Sequence, residues 1–198
     1  MVSIPKDEIK RKGVHFATLI YVFGYWYLPK PVIVLGLAVL IAFVAFFEFL
    51  RFKIPKLNDF FKSNFKGYYR AEEADKISGL IGTLSGALLT ILIFSNRYMV
   101  LASFLYLVFG DSVAALVGRS FGKHRMIFAG KTLEGTLACF AVCFLAGIFI
   151  FNWKFAFIGA VIAAIVEAVP WKINDNFWMQ ILNAWILTLL SNIIVWVK

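Results

Sequence analysis

The sequence contains few charged residues and few cysteines. Only 16% of its 198 residues are charged, whereas a soluble domain has about 25%, so a water-soluble globular fold is excluded. Its two cysteines, Cys139 and Cys143, lie within one hydrophobic segment; this favours buried packing residues over a disulfide or a metal site. No small-residue cleavage site follows the first apolar run, so we predict no cleavable signal peptide.

Apolar residues dominate the rest of the composition. The chain is 62% hydrophobic, with 22 Phe, 6 Trp and a mean hydropathy of +0.84, which is typical of an integral membrane protein. The length predicts one domain, residues 1–198. A net charge of +9 is also found in nucleic-acid-binding proteins, but the basic residues here border the apolar segments. Anionic lipid and phosphate are therefore the predicted partners, and nucleic acid is not.

Hydrophobic segments predict an all-α, polytopic bundle of about seven transmembrane helices. A span needs about 20 residues, and the first and sixth candidates are shorter than that. Extending the first span back through residues 7–14 makes it a full-length helix that begins in water. The seven candidate spans are residues 15–28, 32–50, 77–94, 98–117, 133–151, 155–169 and 177–197.

The distribution of charge predicts the orientation. With seven spans, 16 of the 20 Lys and Arg residues fall on one side, in residues 6–12, 51–76 and 119–131 and at Lys172. The positive-inside rule makes that side cytoplasmic and places the N-terminus there. All 11 acidic residues lie on or near the same side, so we expect an active site at the cytoplasmic face. No mid-membrane charge pair or internal repeat indicates a transport route.

The longest cytoplasmic connection, residues 51–76, predicts a short helix in the membrane interface. Leu57, Phe60, Phe61 and Phe65 recur at helical spacing, and lysines occupy positions between them. Such a helix places aromatic side chains in lipid and lysines among headgroups, where it could gate the approach of a lipid to the site. A solvated loop with a few buried aromatic residues is the alternative interpretation.

Residues 109–135 are the candidate site. Asp111 lies in an apolar helix, where a carboxylate usually has a function or a partner. Near the cytoplasmic end of that helix, it is suited to hold magnesium, which prefers one or two carboxylates together with phosphate oxygens. The alternative is an ion pair with a purely structural role.

A basic, glycine-containing loop follows Asp111 and leads into the fifth predicted span. Its cations could offset the charge of a nucleotide triphosphate, and Gly122 and Gly130 allow main-chain amides to approach phosphate. Thr132 can cap the next helix, whose N-terminus favours anions. Juxtamembrane cations are also common without any site. The basic residues of the loop are Arg119, Lys123, Arg125 and Lys131.

Three further groups are predicted to meet at this face. Arg11, Lys12 and His15 begin the first span, Glu167 ends the sixth, and Asn174 to Asn176 precede the seventh. Each has a structural alternative. The basic pair can anchor the topology, His15 can be an interfacial histidine, and Asn174 or Asp175 can cap a helix.

These blocks resemble the CTP-dependent lipid-alcohol kinases, the family of dolichol kinase, phytol kinase and CTP-using diacylglycerol kinase. The start is similar to the family's Arg-Lys-x-x-His, the centre to its Gly-Asp…Gly…Lys-Thr-x-Glu-Gly, and the end to its Glu…Asp-Asn. Members often have two acids before the final asparagine, where this chain has Asn174 and Asp175. The matching residues are Arg11 to His15; Gly110, Asp111, Gly118, Gly122 and Lys123; Lys131 to Gly135; and Glu167, Asp175 and Asn176.

The resemblance implies transfer of the terminal phosphoryl group of CTP to the hydroxyl of a polyprenol, phytol or diacylglycerol type of lipid alcohol. Asp111 would hold Mg²⁺, with Asp175 or Glu167 as a second ligand. Lys12, Lys131 and Arg119 would neutralise phosphoryl charge, and Glu134 would orient water or accept the proton. We place His15 with the catalytic residues. The predicted nucleotide-binding residues are Arg11, Lys12, Gly110, Gly118, Arg119, Gly122, Lys123, Lys131, Thr132, Gly135 and Asn176.

Two other functions remain open from the sequence. Phosphatidate cytidylyltransferases share much of the central block, but they carry a later Asp-Arg-x-x-Asp motif that residues 174–177 do not match. A non-enzymatic lipid-binding or transport protein is the remoter alternative, because the polar residues lie on one side. Nothing in the sequence measures the length of the acceptor's tail.

Overall fold

The structure, a computed structural model, describes residues 6–69, 73, 76–126, 131–169 and 174–196. Within these ranges the regular secondary structure is entirely helical, and an isolated bridge between Arg125 and Thr132 is the sole strand-like pairing. The all-α fold is therefore confirmed. The elements are α1 (Lys6–Ala17), α2 (Leu19–Tyr27), α3 (Lys30–Lys53), α4 (Pro55–Asn64), α5 (Gly79–Ile93), α6 (Arg97–Leu105), a π-helical segment (Tyr106–Asp111), α7 (Ser112–Phe121), α8 (Leu133–Ile150), α9 (Trp153–Ala168) and α10 (Asp175–Ser191).

Each predicted span coincides with helix. In the described part of the chain, Lys30–Lys53, Arg97–Phe121 and Leu133–Ile150 are long and apolar enough to cross a membrane. The number of seven spans stays a prediction. The last span differs from expectation: α10 begins at Asp175, where Asn174 caps it by accepting a hydrogen bond from the Asn176 amide at 3.0 Å, and it ends at Ser191 rather than 197.

One continuous helical segment, Arg97–Phe121, forms the centre of the fold. Of its most apolar stretch 67% is buried, against 11% for Lys30–Lys53 and 22% for Leu133–Ile150. α2, α3 and α5 pack on one side of it, and α8 and α9 pack on the other. Asp111 lies on this central helix, at the end of its π-helical segment.

The first helix differs from the prediction in one respect. It begins at Lys6, before the predicted span, and a turn at Thr18 separates it from α2. The extension of the first span through residues 7–14 is therefore confirmed, and its start in water stays a prediction. Asp7, Ile9 and Lys10 are exposed, whereas Glu8, Lys12 and His15 are buried. Contacts with the π-helical segment and α7 cover the buried side.

The predicted helix within residues 51–76 is confirmed as α4, Pro55–Asn64. Pro55 occupies its first turn, where a missing N–H is not needed, and none of its residues is fully buried. Phe60 is 56% exposed, whereas Phe61 turns inward against α3. Its position relative to a membrane stays a prediction.

Candidate functional site

The site is organised around the buried carboxylate of Asp111. Lys12 Nζ forms an ion pair with Asp111 Oδ2 and also donates a hydrogen bond to the Asp111 main-chain carbonyl, at 3.1 Å. His15 Nε2 lies 3.6 Å from the same carboxylate oxygen and 3.3 Å from the Leu107 carbonyl. The first and central sequence blocks, about a hundred residues apart, therefore meet as predicted.

The π-helical segment contributes to this arrangement. A π-helical turn adds a residue to the local hydrogen-bond register, and such turns occur frequently at functional sites. Residues Tyr106 to Asp111 form this turn, and Asp111 is its last residue. The turn therefore lies where the central helix presents its one acidic side chain to α1.

A second, partly buried ion pair joins Lys131 and Glu167. Lys131 precedes α8 and Glu167 lies at the end of α9, so the central and the last sequence blocks meet here. Burial lowers the pKa of Lys131, but the Glu167 carboxylate, with smaller contributions from Asp111 and Asp175, raises it above the ordinary value overall. Lys131 is therefore protonated at neutral pH.

The two ion pairs belong to one electrostatic cluster. Asp111 interacts with Lys131 as well as with Lys12, and Glu167 interacts with Lys12 and Asp111. In this arrangement each buried acid has a lysine partner, which offsets the cost of burying its charge.

Sequence reasoning missed Glu8 as part of the site. Its buried carboxylate binds two arginines: Oε1 lies 2.7 Å from Arg11 Nη2, and Oε2 lies 3.1 Å from Arg119 Nη1. Arg119 is otherwise half exposed. A signal was present, since Glu8 and Arg11 have the i, i+3 spacing of a helical ion pair. The contact with Arg119 has no sequence signature.

The predicted glycines pack closely in the structure. A Cβ atom on Gly118, Gly122 or Gly135 would lie within 3.1 Å of Thr132 Oγ1, and one on Gly135 would lie 2.7 Å from the Ala114 carbonyl. These glycines therefore let α7 approach the start of α8. Their assignment to a nucleotide stays a prediction.

Thr132 and Gly110 also have defined surroundings. Thr132 caps α8 as predicted, because its side chain accepts a hydrogen bond from the Gly135 amide at 3.2 Å. A Cβ on Gly110 would lie 2.8 Å from Cys143 Sγ and 3.0 Å from Cys139 Sγ. Both cysteines are free and fully buried, as predicted. Gly110 thus allows α8 to approach the π-helical segment.

The loop before α8 turns Glu134 away from the buried cluster. Its carboxylate accepts hydrogen bonds from the His124 amide at 3.2 Å and lies 2.8 Å from His124 Nδ1. Lys123 is exposed beside it, and Gly130 lies outside the described residues. Glu134 therefore contacts the loop, and its proposed catalytic role stays a prediction.

The start of α10 contributes Asp175 and Asn176. Asn176 Nδ2 donates to Thr83 Oγ1 at 3.1 Å, and Asn174 Nδ2 donates to the Gly79 carbonyl at 3.0 Å. Asp175 acts electrostatically on Lys131. The third sequence block therefore joins the same face through α5 and through the Lys131 pair.

A pocket of about 660 Å³ opens beside the Asp111 cluster. This volume lies within the range of about 300–1,000 Å³ that is typical of small-molecule sites. Lys12, His15 and Asp111 line one end. Aromatic side chains of α3, of α4 and of the residue after α4 line the other, chiefly Phe43, Phe47, Phe61 and Phe65. The pocket thus joins a charged end to a hydrocarbon-like wall.

A second feature that the sequence did not reveal is Arg51. This side chain is fully buried behind the pocket wall, and its Nη2 lies 2.6 Å from Glu48 Oε2. The same Nη2 donates to the Lys76 carbonyl at 2.7 Å. In the sequence Arg51 is one of many juxtamembrane cations. Its i, i+3 spacing from Glu48 indicates a helical ion pair, but not that the pair is buried.

The buried carboxylates of the site are possible ligands for a divalent cation. In the described ranges, no three His, Cys, Asp or Glu side chains lie close enough to hold a metal ion between them. Magnesium on a nucleotide needs only one or two protein carboxylates, since phosphate oxygens and water fill its remaining positions. Asp111 and Glu167 are such carboxylates, and Lys12 and Lys131 supply balancing positive charge. The site therefore fits magnesium that arrives with a phosphate ligand.

Comparison with known proteins gives distant relatives that cover most of the chain. The CTP-dependent diacylglycerol kinase 1 of Schizosaccharomyces pombe is 27% identical over 93% of this chain and 94% of its own length. The phytol kinase of a Synechocystis species is 29% identical over 79% of this chain and 64% of its own length. An uncharacterised protein of Methanocaldococcus jannaschii is 28% identical over 94% of this chain and 95% of its own length.

No family model and no solved structure matches the chain. The two relatives that have a named activity are both kinases. Their similarity supports the resemblance drawn from the sequence blocks, and it supports lipid kinase activity at the level of a class.

Proposed function

We propose that this protein transfers the terminal phosphoryl group of CTP to the hydroxyl of a membrane lipid alcohol, with Mg²⁺ as cofactor. The observation that carries the proposal is the Asp111–Lys12–His15 cluster at the charged end of a pocket whose other wall is aromatic. A lipid alcohol that accepts a phosphoryl group needs a charged end for the reaction at its hydroxyl and an apolar wall for its hydrocarbon tail. The named kinase relatives support the class of reaction.

The acids and lysines of the cluster have complementary roles in this proposal. Asp111, with Glu167 or Asp175, would hold magnesium, which screens the charge of the phosphates and orients them for transfer. Lys12 and Lys131 would bind the nucleotide phosphates when the nucleotide is present. The phosphates would then take the place that the Asp111 and Glu167 carboxylates have as ion-pair partners of the two lysines. Because phosphoryl transfer depends mainly on positioning and charge stabilisation, these cations would supply much of the catalysis.

Other residues would bind substrates and move the proton. Arg11 and Arg119, held by Glu8, would bind the nucleotide phosphates, because each guanidinium retains N–H donors that Glu8 does not use. His15 lies beside Asp111 and lines the pocket, which supports a role for it as the acceptor of the hydroxyl proton, in place of the role suggested for Glu134. In the proposed orientation of seven spans, all these groups face the cytoplasm, on the side that holds most Lys and Arg residues.

The test is an assay of the purified protein with labelled nucleotide triphosphates and a panel of prenol, phytol and diacylglycerol acceptors. We expect CTP with magnesium to give a phosphorylated alcohol and CDP. Asp111→Asn should abolish this transfer, whereas Asp59→Asn, a change of an exposed acid on α4, should leave it intact. Pyrophosphate release with phosphatidate would identify a cytidylyltransferase instead. Full transfer by Asp111→Asn would refute the magnesium assignment.

A further inference from the structure

The aromatic wall of the pocket has one ring at its centre, that of Phe61. Its ring centroid lies 4.9 Å from that of Tyr69 and 5.4 Å from that of Phe65, in both cases nearly parallel. The ring of Phe47, on α3, lies 6.2 Å away. All four of these rings line the pocket, so Phe61 joins the contributions of α3, α4 and the segment after α4 into one surface.

Arg51 holds Phe61 in this position. Its guanidinium carbon lies 4.6 Å from the centroid of the Phe61 ring and 4.5 Å from the centroid of the Phe52 ring. Cation–π contacts of this kind are strongest where the cation is removed from water, and Arg51 is fully buried. Its bonds to Glu48 and to the Lys76 carbonyl tie the ring to α3 and to the chain before α5. The wall is thus connected through Arg51 to two other parts of the chain.

We propose that this wall binds the acceptor's hydrocarbon chain beyond the carbons next to its hydroxyl, and that Phe61, held by Arg51, determines chain preference. The charged end of the pocket fixes where the hydroxyl lies, next to Asp111 and His15, so the chain must extend toward Phe61 and Phe47. The inference rests on the proposed function for the identity of the headgroup, an alcohol. The binding of a hydrocarbon chain by the wall does not depend on phosphoryl transfer.

The neighbouring residue on α4 is a matched control. Phe60 lies on the same helix as Phe61 and has the same side chain, but it is 56% exposed and does not line the pocket. Phe60→Ala therefore removes the same apolar group without touching the wall. Phe61→Leu keeps an apolar side chain of moderate size and removes the aromatic face, so it tests the wall if Phe61→Ala fails to fold.

The experiment measures KM for linear alcohols from butanol to decanol, at concentrations where they are monomeric, with saturating CTP and magnesium. Burying one methylene is worth about 0.8 kcal/mol, so KM of the unaltered protein should fall about fourfold per added methylene until the pocket is filled. Phe61→Ala should raise KM for decanol at least about tenfold and leave the KM values for butanol and CTP unchanged. Phe60→Ala should leave all three unchanged.

Binding is measured in parallel, as the thermal stabilisation by decanol without nucleotide. If no alcohol is phosphorylated but decanol stabilises the protein in a Phe61-dependent way, the proposed reaction fails and the chain site stands. If Phe61→Ala and Phe60→Ala behave alike, or if Phe61→Ala raises KM equally at every chain length, the chain site is refuted. Arg51→Lys keeps the charge but loses the planar guanidinium, and it should shift chain preference in the same direction as Phe61→Leu.

Discussion

Replacing Lys12 by Met tests whether Asp111 has a catalytic or only a structural role. The Lys12 and Asp111 side chains are 6% and 11% exposed, so the variant leaves a buried carboxylate with His15 as its neighbour. Breaking a buried ion pair in this way costs about 3–5 kcal/mol. Lys10→Met, a change of an exposed lysine on the same helix, is the control and should cost less than about 0.5 kcal/mol.

The opposite change, Asp111→Asn, should be less costly. Lys12 keeps its hydrogen bond to the Asp111 main-chain carbonyl at 3.1 Å, and its charge still interacts with the Glu167 carboxylate, so we expect a loss of about 1–3 kcal/mol. The double variant, which combines Lys12→Met with Asp111→Asn, removes both charges at once. Because a buried pair can be replaced by neutral groups at little cost, the double variant should be about 2 kcal/mol more stable than Lys12→Met alone.

The assay compares the free energy of unfolding with the rate of phosphoryl transfer from CTP in the same detergent preparations. Stability should return in the double variant, and activity should not, since neither the magnesium ligand nor the phosphate cation is restored. Recovered activity in the double variant would show that Asp111 serves structure alone. A double variant as unstable as Lys12→Met would contradict the buried pair itself.

Three other expectations concern separate parts of the molecule. Glu8→Gln should raise KM for CTP about three- to tenfold with little change in kcat, because Arg11 and Arg119 lose the carboxylate that orients them; an unchanged KM would contradict this role. Gly135→Ala should lower the free energy of unfolding by about 1–3 kcal/mol, because its new methyl group would lie 2.7 Å from the Ala114 carbonyl, whereas Gly36→Ala, with open space around it, should not be destabilising. Removal of divalent cations by a chelator should stop transfer, and added Mg²⁺ should restore it; transfer that persists in the chelator would refute the cofactor assignment.

Much of the candidate site was predictable because its blocks lie at the ends of predicted apolar helices. Polar residues at the ends of apolar helices must gather at one face, so Lys12 and Asp111 were expected on the same side before their contact was known. The cap at Thr132 was predictable for a similar reason, since capping depends on local sequence. The turn at Thr18 and the burial of Glu8 were missed because they depend on packing between α1 and the central helix.

By itself, the sequence determined the membrane class, the helical architecture and the set of acids and cations at one face, because these follow from apolar periodicity and the placement of charge. Only the tertiary structure decided which charges become partners, and that the glycines around Thr132 pack helices together. It also decided that Arg51 and Phe61 form a pocket wall. Ion-pair choice and pocket shape depend on distances between helices, and no local pattern encodes those distances.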